Sequence, residues 1–209
     1  MKKIVFWIVF AINFCANVPV AIGGEIKGTV TSKQIDNKKD ILVFIEKVDS
    51  NTVFHNPDEK PKMDQRNLAF LPHILPVVVG TTVEFPNNDH VLHNVFSPSR
   101  IKRFDLGSFL PKKSESVTFD KPGKIVVLCK IHPQMSAYII VLQNPFFALT
   151  DEDGNFVISN IPAGTYRLST WHIKLKTETK EVKVPADGAV EVKFDLTTGD
   201  PVNLLELLK

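Results

Sequence analysis

In the stretch VVLCKIHPQMSAYIIV, residues 126–141, a thiol, an imidazole and a thioether recur at three-residue steps, as Cys129, His132 and Met135. All three types can donate a lone pair to a soft or borderline metal ion. An extended strand would send residues three apart to opposite faces. The three donors therefore meet only if the chain turns between the β-like runs 125–128 and 137–142. Pro133, with its fixed φ and no ladder donor, suits such a turn. Taken singly, Cys129 reads as a core residue, His132 as a loop histidine and Met135 as packing. A second stretch adds to them. GTTVEFPNNDHVLHNV, residues 80–95, is a strand, a polar turn and then His93 at the start of another strand, followed by Asn94 and Val95.

The combination of Phe85, Asn87, Asn88, His93, Asn94 and Val95 with a later Cys-x-x-His-x-x-Met resembles the cupredoxins, the small blue-copper proteins, with Pro86 standing between the phenylalanine and the asparagines. The short Cys-to-Met loop, with proline after histidine, is similar to the amicyanin and plastocyanin type. The resemblance runs upstream through FLPHILPVVVGTTVEF and covers roughly residues 63–142. It implies a Greek-key β-sandwich holding one type 1 copper ion. His93, Cys129 and His132 would be the strong ligands and Met135 the axial one. It also implies that the Asn94 backbone N–H donates to the Cys129 sulfur while its side chain ties the two ligand loops together. His132 would be the electron port, collared by Leu92, Ile131 and Pro133. Donor chemistry points the same way: thiolate suits Cu(I), imidazole serves both copper states, and zinc has no use for a thioether. In the resembled pattern the position of His90 is not a ligand, so His90 is expected to face solvent. His55, His73 and His172 have no partners at ligand spacing.

The elements that must position these residues are strands. Period-two alternation marks residues 25–30, 41–45, 77–85, 116–119, 154–158, 166–170 and 191–196. KPG at 121–123, DEDG at 151–154 and PADG at 185–188 separate them as turns. KLKTETKEVK reads as a strand with a charged, solvated face, residues 49–64 as a linker or long loop, and VNLLELLK, residues 202–209 of the C-terminal tail 198–209, as a short amphipathic helix. The fold class is all-β. A second resemblance lies at FALTDEDGNFVISNIPAGTYRLSTWH, residues 147–172, which is similar to carboxypeptidase-regulatory-like, transthyretin-like sandwich modules. Such modules open with a strand pair like GEIKGTVT and ILVFIEKV, which here precedes the cupredoxin-like part. The expected organisation is thus a leader at 1–23, the first strands of the module at 24–56, a self-contained cupredoxin domain at 62–142 inserted into it, and the rest of the module at 145–197. DEDG lacks the terminal glutamate of a calcium loop and is a hairpin turn.

The chain opens MKKIVFWIVFAINFCANVPVAIGGE, with two lysines, an apolar run and small residues at Ala21 and Gly23. This is the order of a secretory signal, so a secreted, periplasmic protein is expected. Asn13, Asn17 and Pro19 interrupt the run, and membrane contact is expected only if the leader is kept. Losing Lys2 and Lys3 leaves 23 basic residues against 23 acids, without the basic footprint of a nucleic-acid binder. Losing Cys15 leaves Cys129 as the only thiol. Outside the cytoplasm cysteines usually pair, so a lone one is buried and inert, intermolecularly paired or a metal ligand. G-x-S-x-G, H-E-x-x-H, phosphate-loop and His-x-His motifs are all missing, and no enzyme is expected. The leading expectation is a monomeric carrier of single electrons that meets a redox protein partner through a transient interface. The alternatives are a copper-handling protein, or an adhesion or docking module with an incidental copper site. Three methionines, one of them the start, are few for a copper-handling protein.

Overall fold

The computed structural model describes residues 23–48, 54 and 59–199. The leader, His55 and residues 200–209 of the tail lie outside them. The described residues form sixteen strands and no helix. The first two are β1 (Gly24–Thr31) and β2 (Leu42–Ile45). A middle group follows: β3 (Asp64–Arg66), β4 (Ala69–Leu71), β5 (Ile74–Val78), β6 (Thr81–Pro86), β7 (His93–Ser97), β8 (Phe104–Phe109), β9 (Ser114–Phe119), β10 (Gly123–Leu128) and β11 (Ser136–Leu142). The last five are β12 (Phe147–Leu149), β13 (Asn155–Ile161), β14 (Gly164–Trp171), β15 (Thr179–Val184) and β16 (Ala189–Asp195).

Pairing sorts these strands into two sandwiches. In one, a sheet of order β13-β1-β16 faces a sheet of order β12-β2-β14-β15. Strand β1 runs antiparallel to β13 and parallel to β16, with Glu25 opposite Ala189. Strand β2 lies between β12 and β14. Ile26, Val30, Ile41, Val43 and Ile45 from the first segment share a core with Phe156, Ile158, Leu168 and Phe194 from the last. In the other sandwich, a sheet of order β5-β11-β10-β7-β8 faces the pair β6-β9, with the hairpin β3-β4 beside it. Its core gathers Phe85, Val95, Phe119, Ile125, Val127, Ala137 and Ile139 around Cys129 and Met135. The first sandwich thus takes β1 and β2 from before residue 62 and β12 to β16 from after residue 142, and the second takes the strands between.

Strands β10 and β11 join the two sandwiches. Alternate residues point to opposite faces, so Ile125 and Val127 enter the inner core. Val126 and Leu128, with Tyr138, Ile140 and Leu142 of β11, face outward. That outer face packs on Leu42, Phe44, Phe147 and Trp171 of the other sandwich. From Ala137 to Leu142 every residue is buried, the pattern of a strand covered on both sides.

The structure amends the reading of several segments. Residues 77–85 form two strands, because Gly80 (φ 88°) turns the chain out of the large sheet and into the pair β6-β9. Residues 62–64 are not linker: Lys62 bridges Glu84, and Met63 is fully buried in the inner core. The charge around Met63 hid its burial. Only 179–183 of the charged run 174–183 enter a strand, β15, since Leu175 bridges His172 and Thr198 instead. At DEDG, Gly154 has φ +87°, and a Cβ there would lie 2.1 Å from the Val30 carbonyl oxygen. That turn needs glycine to close against β1.

Candidate metal centre

Two loops build the site. The first, residues 87–92, leads from β6 into β7 and is held by Asn87, which is fully buried. The Asn87 amide donates to the carbonyls of Val91 and Phe109, both at 3.0 Å, and its Oδ1 accepts from the Asp89 N–H at 3.0 Å. The loop thus delivers His93 at the first position of β7. The second loop leaves β10 at Leu128 and re-enters β11 at Ser136, turning at Pro133-Gln134. The Met135 N–H closes it on the His132 carbonyl at 2.9 Å.

His93 Nδ1 lies 3.0 Å from His132 Nδ1, and Cys129 Sγ lies 3.9 Å from that same nitrogen. The donor atoms of His93, Cys129 and His132 all fall within 4.8 Å of one another. His93 is fully buried and Cys129 nearly so, whereas His132 is half-buried. Met135 is buried in the same cluster as Cys129. Two imidazoles that face each other through the same nitrogen, beside a free thiol, make a poor core contact and a good donor set for a cation. Thiolate and imidazole together select soft or borderline metals.

Asn94 sits behind the cysteine. Its N–H approaches Cys129 Sγ at 3.5 Å, and its Oδ1 accepts from the Lys130 N–H at 3.3 Å. Its Nδ2 donates to Asp105 Oδ1 at 2.9 Å and to the Gly107 carbonyl at 2.8 Å. One side chain thereby ties β7, β8 and the Cys129 loop together. Asp105 also pairs with the Lys130 ammonium. That cation, then the Asn94 amide, holds the Asp105 carboxyl down at about 2.

Leu92 and Ile131 are 41% and 40% exposed, and Pro133 is exposed beside His132. Val91, Leu68 and Leu110 are exposed as well. His90 is exposed and lies outside the donor cluster. His73 and His172 also lie outside the donor cluster. They stand near the junction of the sandwiches, where burial lowers the pKa of each.

Asp89 escaped the sequence reading. It is buried, and its Oδ2 lies 3.0 Å from His93 Nε2, the nitrogen that points away from the donor cluster. The N–H groups of Leu68 and His90 reach the same carboxylate at 2.8 and 2.7 Å. The Leu68 N–H does most to hold its carboxyl down at about 2, against the opposing effect of burial. The signal was present: an acid four residues before a ligand-type histidine, in a loop too short to carry it away.

Residues 133–197 match the family model of the carboxypeptidase regulatory-like domain. The match begins in the Cys-to-Met loop and takes in β11, although β11 pairs with β10 and β5, and it omits β1 and β2. Hydrogen-bonded register is the firmer guide to which sandwich a strand joins. No curated protein matches the chain. Among solved structures, the chain is similar to a reduced tryptophan-to-tyrosine variant of amicyanin, at 24% identity over 41% of this chain and 84% of that one, with a TM-score of 0.38. It is similar to a purple cupredoxin from Nitrosopumilus maritimus at 22% identity, over 39% of this chain and 99% of that one, with a TM-score of 0.37. It is also similar to amicyanin from Paracoccus versutus at 23% identity, over 41% and 83%, with a TM-score of 0.38.

Proposed function

We propose that the protein is a secreted carrier of single electrons built on one type 1 copper ion, held by His93, Cys129 and His132 with Met135 as the weak axial donor. The convergence of two imidazole Nδ1 atoms and one cysteine sulfur within 4.8 Å carries this reading. Bound copper would cycle between its +1 and +2 states and so hold or release one electron. The chain supplies a geometry that serves both states. Asn87 fixes the loop before His93, Asn94 fixes Cys129 against β7, and the Met135-to-His132 bond fixes the second loop. Little is left to rearrange when the charge changes.

His132 is the half-buried member of the donor set, and the exposed Leu92, Ile131 and Pro133 on the two ligand loops would form its apolar collar. A modest apolar patch of this kind suits the small, short-lived interfaces of redox partners. The copper-loaded protein should show an intense thiolate-to-Cu(II) band with narrow parallel hyperfine splitting. Cys129→Ala should abolish the band, and Met135→Gln should keep it while lowering the reduction potential, because an amide oxygen favours Cu(II) over a thioether. A colourless Cu(II) complex, or a protein that takes zinc and refuses copper, would overturn the proposal.

A further inference from the structure

Asp89 holds His93 from behind, and backbone N–H groups donate to both of its oxygens, the pattern of a carboxylate. Its two oxygens accept from the Leu68 N–H and the His90 N–H at 2.8 and 2.7 Å, and Oδ2 lies 3.0 Å from His93 Nε2. An ionised carboxylate offers only acceptors, so Nε2 must bear the ring proton and Nδ1 the lone pair. The two backbone bonds come from different segments, the tip of hairpin β3-β4 and the residue next in the chain, so the carboxylate cannot swing aside. Asn67 and Leu68 both take left-handed backbone conformations (φ 52° and 55°) at that tip, the turn from which the Leu68 N–H reaches the carboxylate. Resting on the copper reading of the site, we infer that Asp89 is a positioning residue that fixes the His93 tautomer and biases the site toward the more highly charged metal state.

A carboxylate behind a ligating imidazole raises the basicity of the ring. A backbone carbonyl in its place would orient the ring equally well but would bring no net charge. The His93 ring that separates Asp89 from the donor cluster is fully buried. Charge acting through protein at an effective dielectric of about 20 is far less screened than in water. The bias should therefore reach at least tenfold in Cu(II)-over-Cu(I) preference. The carboxylate also belongs to the rigid part of the loop, since the Asp89 N–H is itself bound by Asn87 Oδ1.

The test uses the full chain with Asp89→Asn, Asp89→Glu and Asp89→Ala, each first checked for native circular dichroism. Asp89→Asn should keep the thiolate band but lose at least tenfold more Cu(II) affinity than Cu(I) affinity. The two affinities and the potential form a closed cycle, so each tenfold appears as a rise of about 59 mV. Asp89→Glu, which keeps the charge, should restore most of the shift. Equal losses in both states with an unchanged potential would reduce Asp89 to scaffolding and overturn the inference. A second readout needs no copper. In the metal-free protein, nitrogen NMR shifts of His93 should report the Nε2–H tautomer, and Asp89→Ala should give a mixture. A mixture in the unaltered protein overturns the inference even if no variant folds. An unaltered protein with the Nε2–H tautomer but no thiolate band would instead defeat the copper reading and leave the positioning role standing.

Discussion

Asp105 shows how one exposed residue acts on the site from a distance. Its carboxylate pairs with Lys130 and receives the Asn94 amide, and Asn94 in turn faces the Cys129 sulfur. Its folded pKa of about 2 lies below the ordinary 3.8. A depressed carboxylate contributes stability that is complete above the unfolded value and is lost as pH falls through the folded one. The Asp105 contribution should therefore disappear between about pH 4 and pH 2. Both partners are about half exposed (55% and 45%), so solvent screening keeps the pair within about 1 kcal/mol. Denaturant midpoints at pH 5 and pH 3 should fall less in Asp105→Asn than in the unaltered protein, and parallel falls would remove Asp105 from the account. The donors His93, Cys129, His132 and Met135 were legible because their types are rare and their spacing demands a turn. Asp89 and Met63 were not. An acid in a polar loop and a methionine among charges both read as solvated until the tertiary contacts are seen.

At the scale of elements, β10 and β11 matter most, since each has two buried faces. Sequence exposed their apolar character at once, as VVL and YIIVL, but a run without alternation does not say what covers the second face. The cover is the sheet β12-β2-β14-β15, through Leu42 and Trp171. The short strands β3 and β4 were invisible for the opposite reason. Three residues give no period, and their Asn67-Leu68 turn lacks the glycine that usually announces a hairpin. Residues 62–142 read as a self-contained insert, yet excising them would uncover Ile74, Val126, Tyr138, Ile140 and Leu142 together. A contiguous apolar face of that kind drives association. The excised fragment should therefore sediment as oligomers, and Val126→Thr with Ile140→Thr should shift it toward monomer. A monomeric, unmodified fragment would show that the shared face is dispensable.

Across the whole molecule, the shared wall should make the two sandwiches one cooperative unit. A ligand that binds only the folded state stabilises everything that unfolds with its site. Copper should therefore raise the melting temperature of both sandwiches, and the thiolate band and Trp171 fluorescence should be lost in a single transition. Trp171 lies in the wall, and removal of residues 1–23 would leave it the only tryptophan. Two separate transitions would uncouple the modules. The parallel pairing of β1 with β16 has a further consequence, in time. Glu25 cannot meet Ala189 until nearly the whole chain has been made. At roughly 5–20 residues per second, that is a wait on the order of ten seconds. For most of it, until residues 146–171 are made, Ile26, Val30, Val43 and Ile45 lack the partners that cover them, and Phe194 comes last. Contacts this distant in sequence also form slowly once the chain is free. The earliest strands made are the last to be sheathed, so the yield of refolding should fall as protein concentration rises, with the N-terminal segment as the point where chains stick together.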